Sequence, residues 1–481
     1  MVWGQTSIIR DKLDVYSMKN PFLNPVFAFK SIKSYLFDVD KIWRISPQRL
    51  KRFQDKAFRR AVKFAYTVPL YNKKYKELNI HPNDIKGIED IRKLPTVSKK
   101  DIRNAFPDGV IPKNANRDNL WSISTSGATG KPFSFYRDTF SLFTDLIYST
   151  RTHKFAGINI KKNKIMYMGP FNSPGRYDYV VENAIIKNLK PFFHSIANFQ
   201  SVPYIYKDLN EKFEKINEFR PEYIIGTPGD LQAMATLKKN GYGKNIQPKA
   251  LSTSGGVLDD YIRSYIEDAF QCKIIDIYSS VEMATSAVQC KEGNYHVFSD
   301  YIFFEFLDEK GEPVSSGEPG HIVITRLFDR GTPFIRYTGV DDIVTPLYEK
   351  CLCGLHSTQL IKHIDGRRSQ RIYSPDGKYI TPVFFTRGVD AAMKSLKTDK
   401  IIQYQVVQKS IDNIEILCVI NENQKDNPPS LEILFSEIKK EYYKVFGDSF
   451  HFEIKEVKKV IGNDNSAKPP PLIISKLDKQ P

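Results

Sequence analysis

The segment Ser124-Thr125-Ser126-Gly127-Ala128-Thr129-Gly130-Lys131-Pro132 is the stretch of this chain best suited to holding phosphate. Its glycines permit backbone angles closed to other residues, its hydroxyls and backbone N–H groups can surround phosphate oxygens, and Lys131 adds positive charge. The glycine spacing is too short for the loop of P-loop nucleotide hydrolases, and no Ser or Thr follows the lysine. A second chemical set lies further along. Cys351-x-Cys353 is a chelating pair, and Cys290 followed by His296 is another; together they offer three sulfurs and one nitrogen, a set suited to tetrahedral zinc. Free thiols with a packed His296 are the competing reading, and His356 is a substitute ligand. No Ser/His/Asp constellation for nucleophilic catalysis stands out.

The elements that must carry these groups follow from periodicity. Apolar residues recur at helical spacing from Ser46 to Phe64, and Ser98 is placed to cap a helix beginning Lys99-Lys100-Asp101-Ile102. Apolar runs of strand length at Ile165–Met168, Tyr223–Ile225 and Ala250–Ser252 alternate with helical stretches such as Pro228–Lys238 and Asp259–Phe270, the pattern of a largely parallel sheet covered by helices. From Val297 to Val344 short alternating strands with turn signals predict an antiparallel sheet or distorted barrel. After Gly366 a mixed pattern restarts, with strands at Tyr404–Val407 and Asn413–Ile420 and a helix near Ser430–Phe446. The expected architecture is therefore α/β: a large N-terminal domain over residues 1–368, of which 1–45 form an extension packed on it, and a small mobile α+β domain over 369–481.

Composition narrows the class. The 481 residues, 41% hydrophobic and 13% aromatic, support large packed cores. No apolar run approaches the roughly 20 residues of a membrane span, and the first 20 residues lack the apolar centre of a signal peptide, so a cytoplasmic location is expected. The five cysteines are too few, and odd in number, for a secreted disulfide framework. The net charge of +16 invites a nucleic-acid reading, but lysines and arginines are spread along the chain among acids, with no dense basic arm; small polyanions account for part of the excess. Residues 21–44 mix Phe22, Phe27, Phe29, Tyr35, Leu36, Phe37 and Trp43 with lysines. Packing against the body is the first reading for them, and peripheral contact with a membrane surface the second.

The phosphate segment resembles the pattern [ST]-[ST]-G-[ST]-T-G-x-P of the adenylate-forming superfamily of acyl-CoA synthetases, adenylation domains and luciferases, with Ala128 replacing a hydroxyl residue. Further motifs follow in that family's order. Tyr278-Ser279-Ser280-Val281-Glu282 resembles its Y-G-x-T-E segment, which implies Tyr278 near the adenine and Glu282 on Mg²⁺. Pro333-Phe334-Ile335-Arg336-Tyr337-Thr338-Gly339-Val340-Asp341-Asp342 resembles R-Y-x-T-G-D, whose aspartate holds the ribose hydroxyls; a carboxylate accepts both at once. Asp341 and Asp342 are equally placed for that role. Ile364-Asp365-Gly366-Arg367-Arg368-Ser369 resembles the hinge, with Arg367 on ribose or phosphate and Ser369 as pivot. Ala467-Lys468-Pro469 matches the segment whose lysine bridges the carboxylate and the α-phosphate. Gly255 falls in the family's nucleotide-pocket region. Ser46-Pro47, Val68-Pro69-Leu70-Tyr71 and Leu94-Pro95-Thr96-Val97-Ser98-Lys99-Lys100-Asp101-Ile102-Arg103 resemble the phenylacetate-CoA ligase and CapK-like branch, whose CapK members are associated with capsular polysaccharide biosynthesis.

The resemblance covers about residues 45–478 and implies a reaction. A carboxylic acid attacks ATP to form an acyl-adenylate and pyrophosphate, with Thr125, Glu282 and Lys468 in catalysis and Ser124, Ser126, Gly127, Thr129, Gly130 and Lys131 around the phosphates. The acyl group then passes to coenzyme A or to an amine. ATP, Mg²⁺ and a structural Zn²⁺ are the implied companions, in a monomer or homodimer. A protein that keeps the fold and the nucleotide but not turnover is the alternative, resting on Ala128, Ser279 and Ala467.

Overall fold

The computed structural model describes residues 25–125, 133–169, 175–187, 196–200, 209–256, 258–367, 370, 372–376, 379–380, 382–461 and 472–477. Helices α1 (Pro25–Phe37) and α2 (Lys41–Arg44) precede α3 (Pro47–Ala65). Ser46 caps α3 by accepting from the Arg49 amide, and Pro47 sits at the first helical position, where its missing N–H costs nothing. Next come α4 (Pro69–Glu77), α5 (Lys99–Ala105), the hairpin β1 (Leu120–Thr125) and β2 (Phe133–Asp138), and α6 (Thr139–Phe155). Strands β3 (Ile165–Gly169) and β4 (Ile196–Gln200) lead to α7 (Leu209–Phe219), β5 (Tyr223–Gly226), α8 (Pro228–Lys239), β6 (Ala250–Ser254) and α9 (Asp260–Phe270). Then follow β7 (Ile274–Ser280), β8 (Ala284–Gln289), β9 (Tyr295–Val297), β10 (Ile302–Leu307), β11 (Gly320–Arg326), β12 (Asp342–Leu347) and β13 (Leu360–Arg367). The C-terminal part holds α10 (Pro382–Ser395), β14 (Ile401–Gln408), β15 (Asn413–Ile420), α11 (Leu431–Phe446), β16 (His451–Glu456) and β17 (Ile473–Ser475).

These elements form two compact units. The first holds the chain up to Gln200 together with Ile275–Val340 and Pro346–His363. In it β1 pairs antiparallel with β2 and β3 runs parallel to β4; β8 lies antiparallel between β7 and β9, β9 pairs with the start of β13, and β10 pairs with β11. The antiparallel pairing predicted between Val297 and Val344 is thus present in β10 and β11. The core is built from alternating strand positions such as Phe133 and Phe135, Phe304 and Ile324, with Phe334 and Tyr337, all at most 1% exposed.

The second unit comprises Ser201–Ile274, Asp341–Thr345 and Ile364–Pro481. Here β5 and β6 run parallel, linked by α8, whose start carries a reciprocal cap between Thr227 and Asp230. Its four-stranded sheet has the order β16-β15-β14-β17, with β14 and β15 antiparallel and the outer strands parallel to their neighbours. Tyr442 of α11 stacks on Phe452 at 4.9 Å and donates to the Phe385 carbonyl, tying α10, α11 and β16 into one core.

Candidate active site and metal centre

In the first unit, the segment before α5 is stitched to the Arg336-Tyr337 stretch by two backbone bonds, Val97 N to Arg336 O at 3.0 Å and Thr338 N to Val97 O at 2.9 Å. Arg336 adopts a left-handed backbone, φ +47°. Its guanidinium grips both oxygens of Glu305 at 3.1 and 2.9 Å and donates to the Leu94 carbonyl at 2.7 Å. This clasp orients Ser98, which caps α5: its hydroxyl accepts from the Asp101 amide and its amide donates to the Asp101 carboxylate. Lys99 is therefore the first helical residue, and its Nζ reaches Glu282 Oε1 at 3.3 Å.

Glu282 lies just past β7 and is 7% exposed. Its carbonyl accepts from Arg137 Nη2 at 2.6 Å. Arg137 is fully buried and pairs with Asp329, which also accepts from Arg326 Nε at 2.7 Å; Arg326 in turn holds Asp145 at 2.6 Å, a carboxylate that also accepts from Tyr301 and Tyr177. Buried charges are tolerable only when paired, and each of these has an opposite charge beside it, although Arg137 Nε and Arg326 Nη1 have no hydrogen-bond partner among the described residues; the network ties down the turn carrying Glu282. Tyr278, on β7, is buried with its ring edge-on to Phe304.

Thr125 ends β1 opposite Phe133. The Phe133 ring stacks on Tyr337 at 6.2 Å and lies 5.3 Å below Lys99 Nζ, so the structure brings Thr125, Lys99 and Glu282 around one aromatic floor. Three polar atoms in this group of residues, Thr125 Oγ1, Tyr337 Oη and Arg103 Nε, are buried without a hydrogen-bond partner among the described residues. Leaving such atoms unpaired costs about 1–3 kcal/mol each, which fits polar groups waiting for a ligand. A side chain at Gly339 would collide with the Tyr337 hydroxyl, which explains glycine there. Ser124 is already engaged: its hydroxyl bonds Ser134 Oγ at 2.7 Å.

The second unit carries the remaining described candidates. Gly255 follows β6 with φ +79° and open space where a side chain would point. Asp342 opens β12 and Arg367 ends β13, with Arg367 Nε 3.8 Å from Asp342 Oδ1; Asp341 is exposed beside them in sequence. Ser126, Gly127, Thr129, Gly130, Lys131, Ser369 and Lys468 lie outside the described residues.

The cysteine set assembles in the first unit. The ligand atoms of Cys290, His296, Cys351 and Cys353 all lie within 4.8 Å of one another, with the two sulfurs of Cys290 and Cys351 at 3.7 Å and Cys353 Sγ at 3.1 Å from His296 Nε2. Tetrahedral zinc with bonds of about 2.3 Å needs sulfur–sulfur edges of about 3.8 Å, so the donors fit. His296 Nδ1 lies 2.8 Å from Thr358 Oγ1, which fixes the ring with Nε2 toward the sulfurs. Burial, aided by His356, holds the His296 imidazole down to about 4, and burial pushes the Cys290 thiol up to about 12.

No family model matches the chain. Its sequence is 25% identical over 396 residues to Protein CapK of Staphylococcus aureus, covering 80% of this chain and 81% of that protein. It is 25% identical over 324 residues to the phenylacetate-coenzyme A ligase of Thermus thermophilus, covering 64% of this chain and 68% of that one. By sequence the chain is thus similar to phenylacetate-CoA ligases and to CapK. The fold agrees: a 2-hydroxyisobutyryl-CoA ligase in its postadenylation state, in complex with 2-HIB-AMP, matches with a TM-score of 0.74 at 18% identity over 90% of each chain.

Sequence reasoning missed Lys99 as a partner of Glu282 and Arg336 as the clasp that places it. The only available signal was the clustering of Leu94-Pro95 and Lys99 in a branch motif; the pairing itself joins residues far apart in sequence.

Proposed function

We propose that the chain is an ATP-dependent, AMP-forming acid–CoA ligase. The observation that carries this reading is the Lys99–Glu282 pair beside Thr125 Oγ1, which has no partner among the described residues, at the start of the hydroxyl- and glycine-rich segment. In the first step a substrate carboxylate oxygen bonds to the α-phosphorus of ATP and the bond from that phosphorus to pyrophosphate breaks. The acyl-adenylate remains. Lys99 and the hydroxyl and amide groups from Thr125 to Lys131 oppose the phosphate charge, and Lys468, by its motif, neutralises charge between the carboxylate and the α-phosphate. Glu282 would hold Mg²⁺, which supplies further charge neutralisation at the phosphates. Asp342, already beside Arg367, is the better placed of the two aspartates for the ribose. In the second step the CoA sulfur bonds to the acyl carbon, AMP leaves with the oxygen, and the thiol proton passes to solvent. Residues 369–481 turn about Ser369 between the two steps in this reading, clearing Lys468 from the acyl group.

The Cys290, His296, Cys351 and Cys353 set would hold structural zinc, closed by four protein ligands and pinning the loop before β13 to β9. The reaction is tested by incubating the protein with ATP, CoA and a panel of aryl, hydroxy, fatty and amino acids, and reading AMP and acyl-CoA by mass spectrometry. One acid class giving equimolar AMP and thioester supports the reading. AMP with an amide product instead of a thioester would move the acceptor to an amine.

A further inference from the structure

Among the described side chains of α1, small ones turn to the protein and large apolar ones to solvent. The helix lies against α6, and the described side chains turned to the protein include Ser31, buried with its hydroxyl unpartnered among the described residues, and the half-buried Ala28 and Ser34. Four of its described apolar residues face solvent: Phe29 is 67% exposed, Ile32 60%, Leu36 59% and Phe37 59%. A helix stabilised only by the body would place these residues inward, since each left exposed forgoes burial of its apolar surface. The helix is firmly held nonetheless. Arg151 of α6 donates to the carbonyls of Asp38 and Val39 at the end of α1, and Trp43 packs on Phe155 at 5.1 Å. The exposed patch is thus a built surface.

The charge around the patch selects what covers it. Lys33 on α1 and Lys161 and Lys162 in the turn after α6 are exposed, with Lys161 Nζ 5.8 Å over the Tyr35 ring. The neighbouring acids are already paired, Asp38 with Lys41 and Asp40 with Lys154. A second copy of the chain would bring a net charge of +16 to this basic rim, and residues 1–24 bring Arg10, Lys12 and Lys19 against Asp11 and Asp14, so neither offers the negative charge that complements it. Apolar residues flanked by exposed lysines match an anionic bilayer surface, where the side chains enter the acyl boundary and the ammonium groups meet lipid phosphates. The 13-residue helix, about 20 Å long, is too short to cross a hydrocarbon core of about 30 Å, and no helix among the described residues is long and apolar enough to do so. We propose that α1 docks the protein, lying flat, on anionic membrane surfaces.

The test is vesicle flotation of the full chain with phosphatidylcholine alone and with an equimolar mixture of phosphatidylcholine and phosphatidylglycerol, at low and high salt. Wild-type protein is expected to float with the mixed vesicles and not with phosphatidylcholine, and to detach at high salt. The double variant Ile32→Glu with Leu36→Glu and the charge variant Lys161→Glu with Lys162→Glu should each lose about tenfold or more in bound fraction while keeping acid-dependent pyrophosphate exchange, which shows that they fold. Failure of the wild type to float, or equal flotation of either variant, overturns the proposal. So does conversion of a wild-type dimer to monomer by the glutamate substitutions, which would assign the patch to a second copy, or lipid-independent protection of residues 1–24 from proteolysis that those substitutions abolish, which would assign it to the chain's own N-terminus.

Discussion

Lys99 Nζ lies 3.3 Å from Glu282 Oε1, joining the first residue of α5 to the carboxylate just past β7 across nearly two hundred residues of sequence. Both belong to one unit, and Thr125, in the hydroxyl- and glycine-rich segment, lies beside them. In the proposed reaction the same ammonium meets the carboxylate before nucleotide arrives and phosphate oxygens afterwards. Lys99→Ala should therefore lower the acid-dependent rate by about tenfold or more with little change in thermal midpoint, and Glu282→Gln by about a hundredfold. Steady-state rates at varied Mg²⁺ check this: removing Lys99 should weaken ATP use without raising the Mg²⁺ requirement, whereas Glu282→Gln should raise it.

The Arg336 clasp is structural. Arg336→Ala would leave Glu305 buried and uncompensated, at a cost of about 3–5 kcal/mol, and would loosen the segment that aims Lys99. Denaturant unfolding should show the loss directly. Glu305→Gln retains one acceptor and should cost less.

Zinc content is a separate expectation. Protein purified without chelator should carry one zinc per chain by mass spectrometry. Cys353→Ser should lower that stoichiometry and reduce thermal stability, as should exhaustive dialysis against a chelator. Unchanged stability after the metal is stripped would remove its structural role.

Acid sensitivity follows from His153. Its ring is buried and neutral: Nδ1 faces the Thr150 carbonyl at 3.3 Å and so carries the proton, leaving Nε2 to accept from the Tyr167 hydroxyl at 2.7 Å. Burial lowers it from 6.5 to about 4. The unfolded chain therefore binds a proton that the folded chain does not between those values. Stability is complete above pH 6.5, declines as pH falls toward 4, and loses about 2 kcal/mol between pH 7 and pH 5 from this residue. In His153→Gln the slope of unfolding free energy against pH over that interval should flatten by this amount, whatever the variant's stability at pH 7.

Local signals were the most legible in the sequence. The Ser98 cap, the helix from Ser46 to Phe64 and the strands Tyr223–Ile225 and Asn413–Ile420 all rest on periodicity and side chains within one turn, and the structure has them within a residue or two. The four ligands of the cysteine set were legible because donor chemistry is rare enough to stand out before its geometry is known. Long-range partners were not. Nothing local shows that Arg137 would bury itself under Glu282, that Asp145 would collect Arg326, Tyr301 and Tyr177, or that α1 would turn its serines inward. Such pairings depend on which surfaces the tertiary fold brings together.

Acid-dependent ATP–pyrophosphate exchange tests the central claim most directly. With wild-type protein, one acid class should support exchange of labelled pyrophosphate into ATP, and Glu282→Ala and Lys468→Ala should each abolish it while the protein stays folded. Exchange absent with every acid in a broad panel, with ATP still bound, would contradict the claim and leave a nucleotide-binding protein that does not form an acyl-adenylate.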